Sequence, residues 1–408
     1  MSSLASHEPL VDSTIDVFLD QTQNLFANTG ESCNFSRWLQ FFAADVIGDL
    51  TWSRRLGFVE KNEDVDGIMS FIRDFLSYAG PVSLYQLCTY LKPLHRTIPL
   101  TQYQMAKPNI RQIGQMPILD LFLEKNPIKL LLQRWGITKS VFPVTLFAQS
   151  RSAERADEMA KIKAHGLQAP SNNAAGIDLL SKFTQAQHDH PEFMTDIQVL
   201  TTCVSMVFAG SETTAISLSS VFYFLLKHPR CYEKLMMELD ESVRNGTIVD
   251  RKNGSVSWSE SQKLPYLDAI IQESFRLHPA AGLTLERIVP PSGIEICGRY
   301  IPGGTIVGCN AWVLHRRPEV FGLDVDTFRP ERWIEAGPEK LKEMKATMFQ
   351  FGAGARTCIG KNISLVEVYK LVPSFLRRFE VRLSSLLFPY LFWMEVHPKV
   401  RMGSPITD

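Results

Sequence analysis

The sequence is expected to fold as a mainly α chain with a minor β-sheet, an α+β fold. Three observations carry that expectation. Residues 8–28 and 35–50 show apolar periodicity compatible with helices. Val199 to Leu226 is apolar almost all round and unbroken by proline. After Pro279 the texture changes to short β-branched segments separated by turn residues.

Taken in order, the helical segments 8–28 and 35–50 are followed by Pro81, Pro93, Pro99 and Pro108, which break up the region from 80 to 110. Gly166 to Gly176, with Pro170, Ser171, Asn172 and Asn173, reads as a surface connection. Asp178-Leu179-Leu180-Ser181-Lys182-Phe183 then returns to helix. A long helix starts near Thr195, where Thr195-x-x-Gln198 fits a capping box, and stops at His228-Pro229. At 1.5 Å per residue it is roughly 45–50 Å long, and its apolar girth predicts burial. Glu286-Arg287-Ile288-Val289 and Ile294-Glu295-Ile296-Cys297 read as strands, and Tyr300 to Val307 as strand, turn, strand. With no linker evident, residues 1–408 are expected to form one domain.

The bulk properties exclude several classes. The chain has 408 residues, 45% apolar and 21% charged, with no net charge. That suffices for a large core and gives no basic surface for nucleic acid. Seven cysteines are scattered with no C-x-x-C pair, so neither a zinc site nor a disulfide framework is indicated, and a reducing compartment is expected. The opening residues, Met1 to Glu8, are polar and do not resemble a signal peptide. No uninterrupted apolar run is expected to span a membrane; Leu386 to Val396 contains Pro389 and Glu395 and reads as buried C-terminal structure.

The chemistry concentrates at Phe351-Gly352-Ala353-Gly354-Ala355-Arg356-Thr357-Cys358-Ile359-Gly360, which fits F-x-x-G-x-R-x-C-x-G. Five fixed positions, each at a background of roughly one in twenty, would match by chance on the order of 10⁻⁴ of the time in a chain of 408 residues. A lone cysteine in a turn is usually just buried, but its neighbours here form a coherent site. A glycine-rich turn and a following helix N-terminus offer N–H groups to a thiolate. Gly354 and Gly360 are expected to take backbone conformations closed to other residues and to let a flat group approach. Arg356 suits a carboxylate. Together these suit a thiolate on a haem iron, with a cation at a haem propionate. The loop resembles the haem-binding loop of the cytochrome P450 family.

Other segments strengthen the resemblance. Ala209-Gly210-Ser211-Glu212-Thr213-Thr214 places a glycine, an acid and two threonines in an apolar helix, against propensity and desolvation. Such threonines can simply bond back to the i−4 carbonyl. The segment also resembles the family's A-G-x-[DE]-T-[TS] oxygen-binding motif. That implies Thr213 as a hydroxyl and Glu212 as an acid in a proton relay, with Gly210 at a local kink beside the cofactor. Glu273 and Arg276, three apart on one helix face, can pair. Phe328-Arg329-Pro330-Glu331-Arg332-Trp333 resembles the family's P-E-R-[FW] segment, which implies a buried network of Glu273, Arg276 and Arg332. Arg287 matches a second propionate contact, the alternative being an arginine at an exposed strand end. Phe351 belongs to the implied cofactor pocket. His315, in Leu314-His315-Arg316, is rejected as an iron ligand because the family places a structural helix there.

The resemblance implies an α+β cytochrome P450-like fold lacking its N-terminal portion. A membrane anchor, a proline-rich hinge and a W-x-x-x-R clamp are not found; Trp52 has Arg54 and Arg55 at the wrong spacing. A natural short form and an incomplete copy of a longer chain both account for this. The expected function is a haem-thiolate monooxygenase acting on an apolar small molecule, in the manner of fungal secondary metabolism and most like the pisatin demethylase group. The cofactor is haem b (iron-protoporphyrin IX) held by Cys358. Electrons come from NADPH through a separate reductase, since no nucleotide motif occurs here. A monomer is expected, cytoplasmic or peripheral to the endoplasmic-reticulum membrane on its cytosolic side. The alternatives are an inactive short form and a non-oxidative haem protein, the latter disfavoured by an intact Glu212-Thr213 pair.

Overall fold

A computed structural model of the chain describes residues 7–76, 143–164, 178–383 and 393–399. The expectations for Pro81 to Pro108, for Gly166 to Gly176 and for residues 386–392 fall outside them.

Helices dominate, in the order the periodicity implies. α1 (Glu8–Thr22) runs on into a π-helical turn, Gln23–Ala27. A short strand, β1 (Cys33–Asn34), leads into α2 (Phe35–Trp52), capped by the Asn34 side chain, which accepts from Arg37 N at 3.3 Å. α3 (Pro143–Ala164) and α4 (Leu179–Asp189) follow, the latter capped by Asp178, which accepts from Ser181 N at 2.8 Å. α5 (Asp196–Lys227) has the expected capping box: Gln198 Oε1 accepts from Thr195 N at 3.0 Å, and Thr195 Oγ1 from Gln198 N at 3.4 Å. α6 (Pro229–Arg244) and α7 (Pro265–Leu277) each begin on a proline, which needs no amide partner in a first turn.

The β-rich section contains β2 (Thr284–Ile288), β3 (Ile294–Ile296), β4 (Arg299–Ile301) and β5 (Ile306–Asn310). After it come α8 (Pro338–Thr347), α9 (Lys361–Arg378), β6 (Phe379–Leu383) and β7 (Trp393–Pro398). All pairings are antiparallel. β1, β7 and β6 form a three-stranded sheet in that order; β2 pairs with β5 and β3 with β4. This adds the pairing to the expected minor sheet. β4 and β5 do follow each other across a turn, but β4 turns back on β3 while β5 returns to β2, with Arg287 opposite Val307. The expected small sheet is thus two separate strand pairs among the helices, and β7 lies in a third sheet with β1 and β6.

The chain divides into two compact units, one of residues 1–62, 170–185 and 209–408, the other of residues 63–169 and 186–208. In the larger unit an aromatic core gathers on α9. Phe375 is fully buried and its ring lies 4.9–6.2 Å from those of Phe18, Phe35, Phe222 and Phe379. Lys370, also fully buried, reaches from α9 to α1, pairing with Glu8 and, at 2.6 Å, with Asp12. In the smaller unit the rings of Phe71 and Phe75 stand edge-on to Phe208.

α5 is long and apolar enough to cross a bilayer, a feature the sequence reading did not assign to it. Neither is it buried all round. Thr201, Ser205, Ala209 and Thr213, each one turn from the next, are exposed, whereas Ser211, Thr214, Ala215 and Leu218 are buried. Its polar residues satisfy themselves locally: Ser205, Thr213 and Ser217 hydroxyls donate to carbonyls one turn back at 2.6–2.9 Å. The burial at Phe375 sets a stability expectation. Phe375→Ala empties the meeting point of four rings and should cost about 3–5 kcal/mol in denaturant unfolding, more than a single-ring truncation at the core margin.

Candidate functional site

The site is organised around one carboxylate. Glu273, on α7, is fully buried and accepts from five donors. Oε1 takes Arg276 Nη2 at 2.8 Å, Arg332 Nε at 2.9 Å and Arg329 N at 3.0 Å. Oε2 takes Arg276 Nε and Trp333 Nε1, both at 2.9 Å. The guanidinium groups spend their remaining donors on backbone carbonyls. Arg276 reaches His315 O at 3.0 Å, Val325 O at 2.6 Å and Thr327 O at 3.2 Å. Arg332 reaches Phe321 O, Asp324 O and Thr327 O, and pairs with the Asp324 carboxylate at 3.0 Å. The expected trio is therefore together, and it gains Trp333 and Asp324, which the sequence reading left out. α7 is itself held at its start, where Glu238 of α6 accepts from Tyr266 N at 2.7 Å and Leu267 N at 2.9 Å.

The cysteine loop stands in front of this network, fixed to it twice. The Phe351 ring meets Phe275 of α7 edge-on, 6.0 Å between centroids. Phe349 N donates to His315 Nε2 at 2.7 Å, while the other ring nitrogen, Nδ1, donates to Arg276 O at 3.1 Å. Within the loop, Gly352 N donates to Phe349 O at 2.9 Å, and Cys358 N to Phe351 O at 2.8 Å. Gly352 and Gly354 have φ of +67° and +69°, the left-handed region that glycine tolerates. Gly360 was expected to need such freedom but has an ordinary φ of −81° as the N-cap of α9. The special backbone is at Gly354, as expected, and at Gly352. Cys358 is exposed just ahead of α9, 18 residues long, whose positive end favours a thiolate.

Other expected residues lie as follows. Arg356 is exposed and makes no hydrogen bond or ion pair among the described residues. Thr213 is exposed on α5, and the neighbouring Thr214 donates to Ser364 Oγ in the first turn of α9 at 3.2 Å. That bond brings the threonine pair to the cysteine loop. Glu212 is half-buried and turned onto α2, where Gln40 Nε2 donates to its carboxylate. Gly210 corrects a further expectation. α5 runs through it as continuous α-helix, and a Cβ there would sit 3.0–3.3 Å from Ile47 of α2. A side chain there would crowd Ile47, so the close approach of two helices favours glycine. Arg287 is exposed on β2, its guanidinium bonded to Glu286 O at 2.6 Å. It shares a strand face with Leu285, whose Cδ1 lies 3.4 Å from where a Gly352 Cβ would be, so the strand runs beside the loop.

These residues fit a haem. An exposed, unpaired thiol in a braced loop suits the iron, and an uncommitted guanidinium two residues before it suits a propionate. Small exposed residues, Ala209 and Thr213, lie on the adjoining helix. His315 is no ligand candidate: it is fully buried and both ring nitrogens are bonded to protein.

Burial, with the Arg276 and Arg316 charges adding to it, lowers the His315 pKa to about 4. A folded-state value below the unfolded one means stability is present above about pH 6.5 and is lost as pH falls toward 4, by about 3 kcal/mol in all. Denaturant unfolding at pH 7 and pH 4.5 should show this loss in the native chain and a smaller one in His315→Gln.

The chain matches the cytochrome P450 family over residues 1–387. It is similar to a cytochrome P450 monooxygenase of Aspergillus terreus, 38% identical over 93% of this chain and 68% of that one. Cytochrome P450 monooxygenase cicH of Emericella nidulans is 39% identical over 94% of this chain and 67% of its own length. Cytochrome P450 monooxygenase ACRTS1 of Alternaria alternata is 31% identical over 94% of this chain and 90% of itself. With the braced cysteine loop and the Glu273 network in place, these similarities establish that the chain belongs to the cytochrome P450 family of haem-iron monooxygenases.

Proposed function

We propose that the chain is a haem-thiolate monooxygenase that oxidises an apolar small molecule of fungal secondary metabolism, with electrons delivered from NADPH by a separate reductase. The observation that carries this reading is Cys358, exposed ahead of α9 in a loop anchored to α7, with Thr213 on the helix tied to α9 by Thr214 and Ser364. The fungal monooxygenases among its relatives support the reaction class.

The haem, when bound, supplies the iron at which dioxygen is activated. The residues of the chain do the rest. Cys358 Sγ would ligate the iron, stabilised as thiolate by the α9 N-terminus. Arg356 would hold a propionate, and Arg287 would hold a second by exchanging its bond to Glu286 O. Phe351, edge-on against Phe275, keeps the loop from collapsing onto α7. Thr213 Oγ1 donates to Ala209 O, which leaves its lone pairs to accept a proton donor from the oxygen side. Glu212 is the acid behind it. Consecutive helical side chains diverge by about 100°, so the two groups do not face each other. A proton passing between Glu212 and Thr213 needs a bridging water or a turn of the carboxyl away from Gln40. Gln40 thereby sets where the acid waits. We further propose that the protein works as a cytosol-facing monomer.

Two outcomes follow. The reduced carbon monoxide complex should show the long-wavelength Soret band that thiolate ligation produces, and Cys358→Ala should abolish it; survival of the band in that variant would remove Cys358 as ligand. Thr213→Ala should keep the band, and the hydrogen peroxide formed per NADPH consumed with a P450 reductase should rise, with productive turnover falling on the order of 10²-fold. Gln40→Leu should raise the peroxide yield less. An unchanged yield in Thr213→Ala would take that hydroxyl out of the relay.

A further inference from the structure

Resting on the assignment of Cys358 as the iron ligand, we propose that His315 is the positioning residue that fixes the thiolate loop to the Glu273–Arg276–Arg332 network. Its backbone carbonyl accepts Arg276 Nη1 at 3.0 Å, and its Nδ1 donates to Arg276 O at 3.1 Å, so one arginine grips it through both its side chain and its backbone. Nε2 accepts Phe349 N at 2.7 Å, and Phe349 O in turn accepts Gly352 N at 2.9 Å. From there the loop is continuous to Phe351 O, which accepts Cys358 N at 2.8 Å and the Thr357 hydroxyl at 3.2 Å. Three segments far apart in sequence, at 276, 315 and 349, meet through a single ring.

The ring is suited to this by its chemistry. Arg276 O requires a donor and Phe349 N–H requires a lone pair. Only the neutral imidazole with its proton on Nδ1 offers both at once. The His315 side chain is fully buried, so neither bond competes with water, and breaking either strands a buried polar group. The remaining attachment of the loop to α7, the Phe351–Phe275 ring contact, is non-directional and allows sliding. Register of Cys358 therefore depends on the imidazole.

The test compares His315→Leu, which fills space without hydrogen bonds, with His315→Gln, whose amide also offers one donor and one acceptor. Each is loaded with haem, reduced and bound to carbon monoxide. The fraction of the complex showing the thiolate band should fall severalfold in His315→Leu, with helix content retained, and recover in large part in His315→Gln. A folded His315→Leu with the native fraction would overturn the proposal. Should that variant fail to fold, hydrogen exchange on the native haem-loaded protein decides. The Phe349 amide should be protected by at least about an order of magnitude relative to a freely exchanging amide; exchange at the free rate overturns the proposal. Absence of the band from the native protein would instead overturn the ligand assignment.

Discussion

Everything at this site depends on keeping one carboxylate, Glu273, ionised with no exposure to water. Desolvating such a charge costs several kcal/mol, and two guanidinium groups, an indole N–H and a backbone N–H offset that cost. The arginines are held in turn by carbonyls of residues 315–327, a stretch of turns around one short helix, Pro318–Phe321. A buried polar cluster of this kind is useful because its geometry is directional. Apolar packing alone would let α7 and the segment around Arg332 slide. Five directed bonds to one carboxylate do not.

From that fixed point the order passes forward to the cysteine loop through His315 and Phe351, and sideways along α9 to α5 through Ser364 and Thr214. The thiol and the threonine thus derive their placement from the same frame. The exposed residues, Cys358, Arg356 and Thr213, are those with chemistry left over, whereas the buried ones have spent theirs on each other. Glu212 is intermediate: partly buried and bonded to Gln40, it is an acid held beside the site rather than in it.

What was legible in the sequence is what local spacing encodes. The capping box at Thr195 to Gln198 and the three-residue step from Glu273 to Arg276 are both present in the structure. So are the glycine turn before Cys358 and a strand through Glu286 to Ile288. What was not legible depends on partners far along the chain. Nothing near Gln40 announces Glu212, and nothing near His315 announces Phe349. Strand pairing was not legible for the same reason: β4 and β5 are adjacent in sequence, yet each finds its partner upstream. Gly210 is the instructive case. Its oddity in an apolar helix was correctly noticed and its cause misplaced, because a glycine's need for room shows only when the neighbour, Ile47, is in view.

The most direct test of the central role of Glu273 is a double-mutant cycle on its bond to Arg332, with Glu273→Gln, Arg332→Met and the double variant compared in denaturant unfolding. Each single change leaves the buried charges of the network unbalanced and should cost about 3–5 kcal/mol. The double change strands little more than either, so the coupling should be about 2–3 kcal/mol. Costs that add to within about 0.5 kcal/mol would contradict the account, because the two residues would then be holding different parts of the structure independently.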